Sequence, residues 1–213
     1  MVVKAATAGL LCFDVDQQLT DLEALEFVKA GYEACGRYIP RTPALIYGNL
    51  SSEEISTLLA AGLGIFVAQH CPEPGWSPSA TLGQKYGSYA AQYAAEIGLP
   101  KGMHLWLDLE TPAETATAQN CIDYENAWST AVKASGYLPG VYVGYGLPLS
   151  PTQLFKDFIA AAYWSAYNYT DGVATRGVQI TQHTAEILNG ISFDPNMISA
   201  DLKGNLPMLL YNS

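Results

Sequence analysis

The stretch MHLWLDLE, residues 103–110, decides the fold because its residues alternate between two chemically different faces. Successive side chains of a strand point to opposite sides, so Leu105, Leu107 and Leu109 share one apolar face. The residues of the other face become more polar toward the C-terminal end of the strand: His104, Trp106, Asp108 and Glu110. In (β/α)₈ barrels, the chemistry takes place at that end of the strands. The pattern therefore predicts a barrel strand with leucines packed under helices and two carboxyl groups at the barrel mouth.

Apolar runs of similar length alternate with helical patterns along the whole chain, which indicates a parallel α/β fold. The predicted strands are Leu10–Asp16, Ala34–Pro40, Gly64–Cys71, Met103–Glu110, Gly140–Gly146, Ala162–Asn168, Gly177–Thr184 and Ile191–Asn196. The predicted helices are Asp21–Tyr32, Ser51–Gly62, Ser79–Gly98, Ala118–Ser135 and Pro151–Ile159. These elements favour a closed TIM-type (β/α)₈ barrel with short or missing helices in the last units. An open doubly wound sheet is the competitor, but its GxGxxG turn is absent. No linker divides the chain, so residues 1–213 are predicted to form a single domain.

Composition excludes several classes of function. The 213 residues are 49% hydrophobic and only 14% charged, with a formal net charge of −10 and no cluster of Lys and Arg. Nucleic-acid binding depends on a basic surface, so nucleic acid is not an expected partner. No segment approaches the roughly 20 apolar residues that a membrane-spanning helix needs. The four cysteines are widely spaced without a CxxC motif, which argues against a zinc site, and no metal or cofactor is expected.

Two further strands bring acidic residues to the same end of the predicted barrel. Asp14 and Asp16 follow one another on the inner face of the first strand, and Asp194 lies on the inner face of the eighth. The first and eighth strands of a closed barrel are neighbours, so Asp14 and Asp194 are expected to lie close together. A single acid at a strand end is usually only a solvated loop residue. Clustered carboxylates raise each other's pKa at a cost in stability, and their coincidence on three strands favours catalysis or ligand binding.

Aromatic residues surround these acids and distinguish between two kinds of chemistry. Carboxylates without a nucleophilic His or Cys suit either divalent-metal binding or glycoside cleavage. The later strands carry Trp106, Tyr142, Tyr145, Tyr163, Trp164 and Tyr167. Each aromatic residue taken alone is as well explained by packing in the core. Together they favour a sugar ligand, because aromatic faces stack on sugar rings. His104 is interpreted as a hydrogen-bonded core residue, His70 is not expected to be catalytic, and His183 is placed where a ligand contact is possible.

Five motifs in order resemble the family 25 glycoside hydrolases, the Chalaropsis-type lysozymes: CFDVDQ at 12–17, LDLE at 107–110, AYWSAY at 162–167, ITQH at 180–183 and FDPN at 193–196. The resemblance is closer still to the bacterial Rv2525c-like, glycoside hydrolase-like group (DUF1906). In that group a Gly-Arg-Tyr second strand and an Ala-Gly-Leu turn follow, here 36–38 and 61–63. Each motif is weak by itself, and their order over nearly the whole chain carries the resemblance.

This resemblance implies a muramidase-like enzyme that cuts β-1,4 links next to N-acetylmuramic acid in peptidoglycan, which would be its partner. It implies that Glu110 is the general acid and that Asp108 orients the 2-acetamido group of the substrate. Asp14 and Asp194 would tune these charges and bind sugar hydroxyls. The remaining residues expected to bind substrate are Asp16, Arg37, Trp106, Tyr142, Tyr145, Trp164, Tyr167 and Gln182.

The chain also departs from the lysozyme pattern. Asp16 replaces a small hydroxyl residue, and His183 replaces a tyrosine after Gln182. Two alternatives therefore stay open: a glycan-binding barrel with little or no activity, and a hydrolase that uses the same acids with a divalent metal. No clear signal peptide precedes the first strand, so action at the cell wall is expected to follow specialised export or lysis.

Overall fold

The structure, a computed structural model, describes residues 1–44, 48–169 and 171–213. Its strands are β1 Val2–Ala5, β2 Leu11–Asp14, β3 Ala34–Ile39, β4 Gly64–Gln69, β5 His104–Leu109, β6 Leu138–Val143, β7 Ala162–Ser165, β8 Ile180–Gln182, β9 Glu186–Leu188, β10 Ile191–Ile198 and β11 Met208–Tyr211. Its helices are α1 Asp21–Lys29, α2 Ser52–Ala61, α3 Ala80–Glu96, α4 Ala118–Ala134 and α5 Pro151–Asp157. No helix in the described residues is long and apolar enough to cross a membrane.

The five helices begin where the sequence provides a hydroxyl group. Thr20, Ser51, Ser79, Thr117 and Ser150 each accept a hydrogen bond from the backbone N–H three residues later. Such a side chain satisfies one of the N–H groups that the first turn of a helix leaves without a partner. At Thr20, Thr117 and Ser150 the backbone N–H of the cap residue also donates to the side chain three residues later, which completes a capping box. The helix starts are therefore fixed by local chemistry.

Eight strands close into a barrel in the order β2, β3, β4, β5, β6, β7, β8, β10 and back to β2. The first seven pair in parallel with their neighbours. The predicted TIM-type barrel with missing late helices is confirmed. The described residues between Ser165 and Ile180 contain no helix. The helices thus cover β2 to β7, and the closing strands are left without helical cover.

The last barrel strand, β10, runs antiparallel to both of its neighbours, β2 and β8. The reason is the short connection before it. A parallel return needs a crossover of a dozen or more residues, and only residues 183–190 separate β8 from β10. The chain instead turns back in a hairpin between β9 and β10. Asn189 and Gly190 both have positive φ, 51° and 87°, as a two-residue type I′ turn requires.

Two apolar layers hold the barrel together. Phe66, Ala68, Trp106 and Trp164 belong to the cluster that fills its interior. Leu105, Leu107 and Leu109 belong to the larger cluster between the strands and the helices. The alternation predicted for residues 103–110 is therefore confirmed. His104 accepts a hydrogen bond at Nδ1 from the backbone N–H of Met208 at 2.8 Å, which agrees with its interpretation as a core residue.

The N-terminal end of the barrel is covered by two strands that the sequence analysis did not predict. β1 and β11 pair antiparallel with each other, and Leu210 of β11 pairs with Ile65 of β4. Leu209 is fully buried in the interior cluster. Because this end is covered, the mouth at the C-terminal ends of β2 to β8 is the open end at which a ligand can enter.

Candidate active site

Strand β5 presents Asp108 to the mouth, and Glu110 follows directly after its last residue. Asp108 accepts a hydrogen bond at Oδ2 from the backbone N–H of Cys71 at 3.2 Å. Its Oδ1 is buried and has no hydrogen-bond partner among the described residues. Glu110 packs against the backbone of Gly144, where an added Cβ would lie 2.4 Å from Cβ of Glu110. Strand alternation brings both carboxyl groups to the mouth, and Gly144 leaves room for the second.

Asp14 lies at the centre of a network built from four strands. Its carboxylate accepts hydrogen bonds from the Tyr38 hydroxyl at 2.7 Å, the Asn196 amide at 2.7 Å and the Gln182 amide at 3.4 Å. The pKa of Asp14 is raised to about 7, mainly by burial and also by the nearby Asp194, while the hydrogen bonds from Tyr38, Asn196 and Gln182 act to lower it. Asp194 pairs directly with Asp14 in the sheet register, so the expected proximity of the two strands is observed.

Three further carboxyl groups of the mouth, those of Asp108, Glu110 and Asp194, have raised pKa values and hold their protons more tightly than isolated ones. Burial and then the nearby Glu110 raise the pKa of Asp108 well above its usual range, against the Cys71 N–H and Arg41, which lower it. Burial raises the pKa of Glu110, with a further contribution from Asp194 and an opposing one from the backbone of Tyr145. Burial also raises the pKa of Asp194. Pairs of acids in such an environment release their protons in separate steps, which is the condition for general acid catalysis near neutral pH.

A cavity of 370 Å³ opens beside Asp14, Asp108 and Asp194, whereas Glu110 is not among its lining residues. It is lined by Asp14, Val15, Asp16, Tyr38, His70, Asp108, Ser192, Phe193 and Asp194. Neither Lys nor Arg is among these lining residues. The ring of His70 stacks on Tyr38 at 4.7 Å, and its Nε2 lies 3.5 Å from Asp16. Burial lowers the pKa of His70, so the neutral imidazole is favoured. Four of the nine described lining residues are thus acidic, and no basic side chain other than His70 is among them.

The aromatic residues expected to bind sugar separate into two groups. Trp106 and Trp164 are almost fully buried in the barrel interior, where they form the floor beneath the acids. The Tyr142 hydroxyl donates to Gln182 at 2.9 Å and so joins the network around Asp14. Tyr145 and Tyr167 are exposed after β6 and β7, with relative exposures of 67% and 58%. Of the aromatic residues predicted to bind sugar, only these two tyrosines offer open ring surface at the mouth.

Of the two charged residues predicted to bind substrate in addition to the four catalytic acids, the structure contradicts Arg37 and places Asp16 at the cavity. Arg37 is fully buried on the outer side of β3, where its guanidinium pairs with Glu54 at 2.7 Å and donates to the carbonyl of Val15. Because Tyr38, its neighbour in the strand, points to the inside, Arg37 has to point outward, and it supports the loop after β2 instead of lining the cavity. Asp16 does line the cavity, and its side chain is 83% exposed.

The structure brings to the site several residues that the sequence motifs did not assign to it. Tyr38 and Asn196 bind Asp14, Cys71 and Trp76 hydrogen-bond to the end of β5, and His70 lines the cavity. A signal was present for Tyr38, which lies on the inner face of β3 two positions after Gly36. No sequence signal pointed to Trp76, because it lies in an irregular segment after β4.

No group of three or more His, Cys, Asp or Glu residues in the described parts of the chain is arranged to hold a metal ion. The carboxyl groups at the mouth can act as proton donors when protonated and as hydrogen-bond acceptors when ionised.

The sequence profile of the Rv2525c-like, glycoside hydrolase-like domain matches residues 24–190. The chain belongs to this family. The resemblance inferred from the motifs is thereby confirmed, and the Rv2525c-like barrel includes the strand with Asp108 and Glu110. Asp14 and Asp194 lie just outside the matched range. Among curated proteins the sequence has no significant match.

Solved structures share the Rv2525c-like barrel at low sequence identity. The Tat-secreted protein Rv2525c of Mycobacterium tuberculosis, in complex with HEPES, is 16% identical with a TM-score of 0.65, over 90% of this chain and 95% of that one. The spore cortex lytic enzyme SleM of Clostridium perfringens is 12% identical with a TM-score of 0.68, over 96% and 71%. The modular autolysin LytC of Streptococcus pneumoniae, in complex with a synthetic peptidoglycan ligand, is 12% identical with a TM-score of 0.60, over 88% and 46%. At these identities the likeness shows a shared fold.

Proposed function

We propose that this glycoside hydrolase-like barrel cleaves peptidoglycan as a muramidase, at β-1,4 links next to N-acetylmuramic acid. The observation that carries the proposal is the pair of carboxyl groups at the end of β5, both with raised pKa and one with an unpaired oxygen. The lytic action named for SleM and the peptidoglycan ligand bound to LytC support the choice of substrate.

Glu110 is assigned the role of general acid. When one carboxyl of a close pair ionises, the other holds its proton to a higher pH, so the pair retains one proton for transfer. Glu110 is the less buried of the two acids and therefore the one that a glycosidic oxygen can reach, so it carries the shared proton in the substrate complex, with Asp108 ionised, and donates it as the bond to the leaving sugar breaks.

Asp108 is assigned the role of orienting the 2-acetamido group of the sugar. Its Oδ1 is a buried acceptor without a partner in the described residues, and such an atom costs free energy unless a donor reaches it. The acetamido N–H supplies that donor and turns the carbonyl oxygen of the group toward the anomeric carbon. That oxygen forms a bond to the anomeric carbon as the glycosidic bond breaks, and a water molecule then displaces it to give the new reducing end. Asp14 and Asp194 surround the cavity and bind sugar hydroxyls, and Tyr145 and Tyr167 provide stacking surface at the rim.

The test is release of reducing ends from purified peptidoglycan by wild type and by Glu110→Gln, with mass spectrometry of the products. Loss of a general acid lowers the rate by about 10²- to 10⁴-fold. We expect release by the wild type with muramic acid at the new reducing ends, and a fall of at least about 100-fold for Glu110→Gln. The matched control is Glu114→Gln, which removes an exposed carboxyl four residues later and should leave the rate unchanged.

The proposal fails if the folded wild type releases no reducing ends from several purified walls. If both proteins then bind glycan with measurable affinity, the barrel is a binding module. If Glu110→Gln retains full activity, the role given to Glu110 is wrong and another acid of the mouth is the proton donor.

A further inference from the structure

The segment after β4 contacts the catalytic end of β5 through three hydrogen bonds. The backbone N–H of Cys71 donates to Oδ2 of Asp108 at 3.2 Å. The backbone carbonyl of Glu110 accepts from the Trp76 indole N–H at 2.8 Å and from the Cys71 thiol at 3.2 Å. One short segment therefore holds both proposed catalytic residues, Asp108 by its side chain and Glu110 by its backbone.

Trp76 is itself fixed on several sides. Its side chain is 9% exposed and packs edge-on against Tyr124 of α4, with ring centroids 4.7 Å apart. Its backbone carbonyl accepts from the N–H of Ala113 at 2.7 Å, and it forms an isolated β-bridge with Pro112. An indole held by a helix and by the chain on the far side of Glu110 is a rigid donor.

The backbone of Thr111, the residue after Glu110, is strained, and hydrogen bonds from neighbouring segments hold it in that conformation. Thr111 has a φ of 46°, in the left-handed region that is unfavourable for a residue with a Cβ atom. Its N–H donates to the Tyr145 carbonyl at 2.7 Å, and its carbonyl accepts from the Gly75 N–H at 2.9 Å. Strained backbone persists only where surrounding contacts hold it, and here it directs the chain out of β5 directly beside the acid.

We propose that Trp76 and Cys71 are positioning residues that fix the Asp108 and Glu110 carboxyl groups relative to each other. The tests of this inference that measure turnover rest on the proposed function, whereas the test that measures ionisation of the two carboxyl groups does not. Without the two side-chain donors, the end of β5 relaxes and Glu110 moves away from Asp108. The other titratable or charged groups that interact with the pair are Asp14, Tyr38, Arg41, Cys71, Tyr124, Tyr142 and Asp194.

The kinetic test uses Trp76→Phe, which removes the indole N–H and keeps an aromatic ring against Tyr124. A small misplacement of catalytic groups lowers a rate by up to about 100-fold, so we expect kcat to fall by about 10- to 100-fold. The KM should change by no more than about two-fold, because the cavity is untouched. The matched control is Tyr137→Phe, which removes the hydrogen bond that the buried Tyr137 hydroxyl donates to the Leu99 carbonyl at 2.9 Å. This variant should leave kcat unchanged.

Cys71 gives a second variant series in case Trp76→Phe folds poorly. Cys71→Ser keeps a donor for the Glu110 carbonyl and should retain most of kcat, whereas Cys71→Ala removes it and should lower kcat. Rescue by serine separates positioning from a loss of packing. Equal rates for the Ser and Ala variants, or a fall in Trp76→Phe no larger than in Tyr137→Phe, would overturn the proposal.

A titration that needs no turnover keeps this inference separate from the proposed function. Carboxyl NMR of wild type and Trp76→Phe follows the ionisation of Asp108 and Glu110. In the variant we expect the pKa of Asp108 to move toward its ordinary value, because Glu110 moves away and water enters. Superimposable titration curves in the two proteins would contradict the inference even if the wild type cleaves peptidoglycan. A shifted curve in a protein without turnover would support positioning while the proposed function fails.

Discussion

At the scale of single residues, the mouth shows how two acids on one strand acquire different environments. Asp108 is enclosed on the inside of the barrel, and burial is the main cause of its raised pKa. Glu110 lies beyond the last strand residue, is less buried, and packs against Gly144 on the neighbouring strand end. The absence of a side chain at residue 144 is therefore part of the geometry that places the proposed acid.

Gly144→Ala tests this placement. The new Cβ would lie 2.4 Å from Cβ of Glu110 and 2.6 Å from its Oε2, so the carboxyl has to move. We expect peptidoglycan cleavage to fall by about 10- to 100-fold, and overpacking against Cβ of Glu110 to lower the free energy of unfolding by about 1–3 kcal/mol. The double variant Gly144→Ala with Glu110→Gln should be no slower than Glu110→Gln alone. An undiminished rate in Gly144→Ala would show that Glu110 tolerates displacement and does not act as the acid.

At the scale of elements, α3 and α4 pack with their backbones in close contact. A Cβ added at Gly83 would lie 2.1 Å from the Tyr124 carbonyl oxygen, and one at Gly87 would lie 2.5 Å from that of Trp128. Both obstacles are backbone atoms of α4, which cannot rotate away. The two glycines let α3 approach α4 closely, and α4 in turn supports Trp76 through Tyr124.

Gly83→Ala should therefore destabilise the protein although alanine favours helix. The helix gain is about 1 kcal/mol, and overpacking against backbone costs about 3 kcal/mol. We expect the free energy of unfolding in urea to fall by about 2 kcal/mol. Ser88→Ala on the exposed face of the same helix is the control and should stay within about 0.5 kcal/mol of the wild type. A stabilised Gly83→Ala protein would mean that the two helices lie farther apart than described.

The hairpin of β9 and β10 shows the limit of prediction at this scale. The alternating apolar residues of 191–196 were sufficient to predict a strand, and the short connections predicted missing helices. The direction of the strand was not predicted, although Asn189-Gly190 is a strong signal for a two-residue turn. The strands β1 and β11 have no amphipathic pattern of their own, and only their docking against the barrel end gives them regular structure.

At the scale of the whole molecule, buried acids make stability depend on pH. Burial raises the pKa of Asp14 from 3.8 to about 7 and that of Glu125 from 4.5 to about 7. The folded state then binds protons that the unfolded state has released, so their stabilising contribution is complete at low pH and is lost as the pH rises through about 7. His104 acts in the opposite direction, because burial lowers its pKa from 6.5 to about 4. The acids outnumber it, so stability should fall from pH 5 to pH 8.

Glu125→Gln isolates one of these contributions. Glu125 is fully buried in α4 and accepts hydrogen bonds from Ser129 at 2.5 Å and from the N–H groups of Ile159 and Ala160. Glutamine mimics the protonated carboxyl, so the difference in unfolding free energy between pH 5 and pH 8 should shrink by about 2–3 kcal/mol. The measurement is urea unfolding at both pH values, with Glu114→Gln as the exposed control. Parallel behaviour of wild type and Glu125→Gln would show that Glu125 is ionised throughout.

The sequence by itself determined the barrel and the identity of the acids at its mouth. Both follow from strand alternation, which is a local property: in residues 103–110 it separates the leucines of the outer layer from Asp108 and Glu110. It also placed Asp14 beside Asp194, because closing a barrel makes the first and last strands neighbours. These inferences needed only the two-residue alternation of side chains along a strand and the topology of a closed barrel.

Only the tertiary structure decided which groups surround each acid. Asn196 binds Asp14 across 182 residues of sequence, and Trp76 binds the backbone of Glu110 from an irregular segment. It also showed Arg37 buried against Glu54 on the outside of the barrel. Hydrogen bonds between distant segments depend on the final packing of side chains, and no local pattern encodes that packing. The same packing sets burial, and burial raises the pKa values on which the proposed chemistry depends.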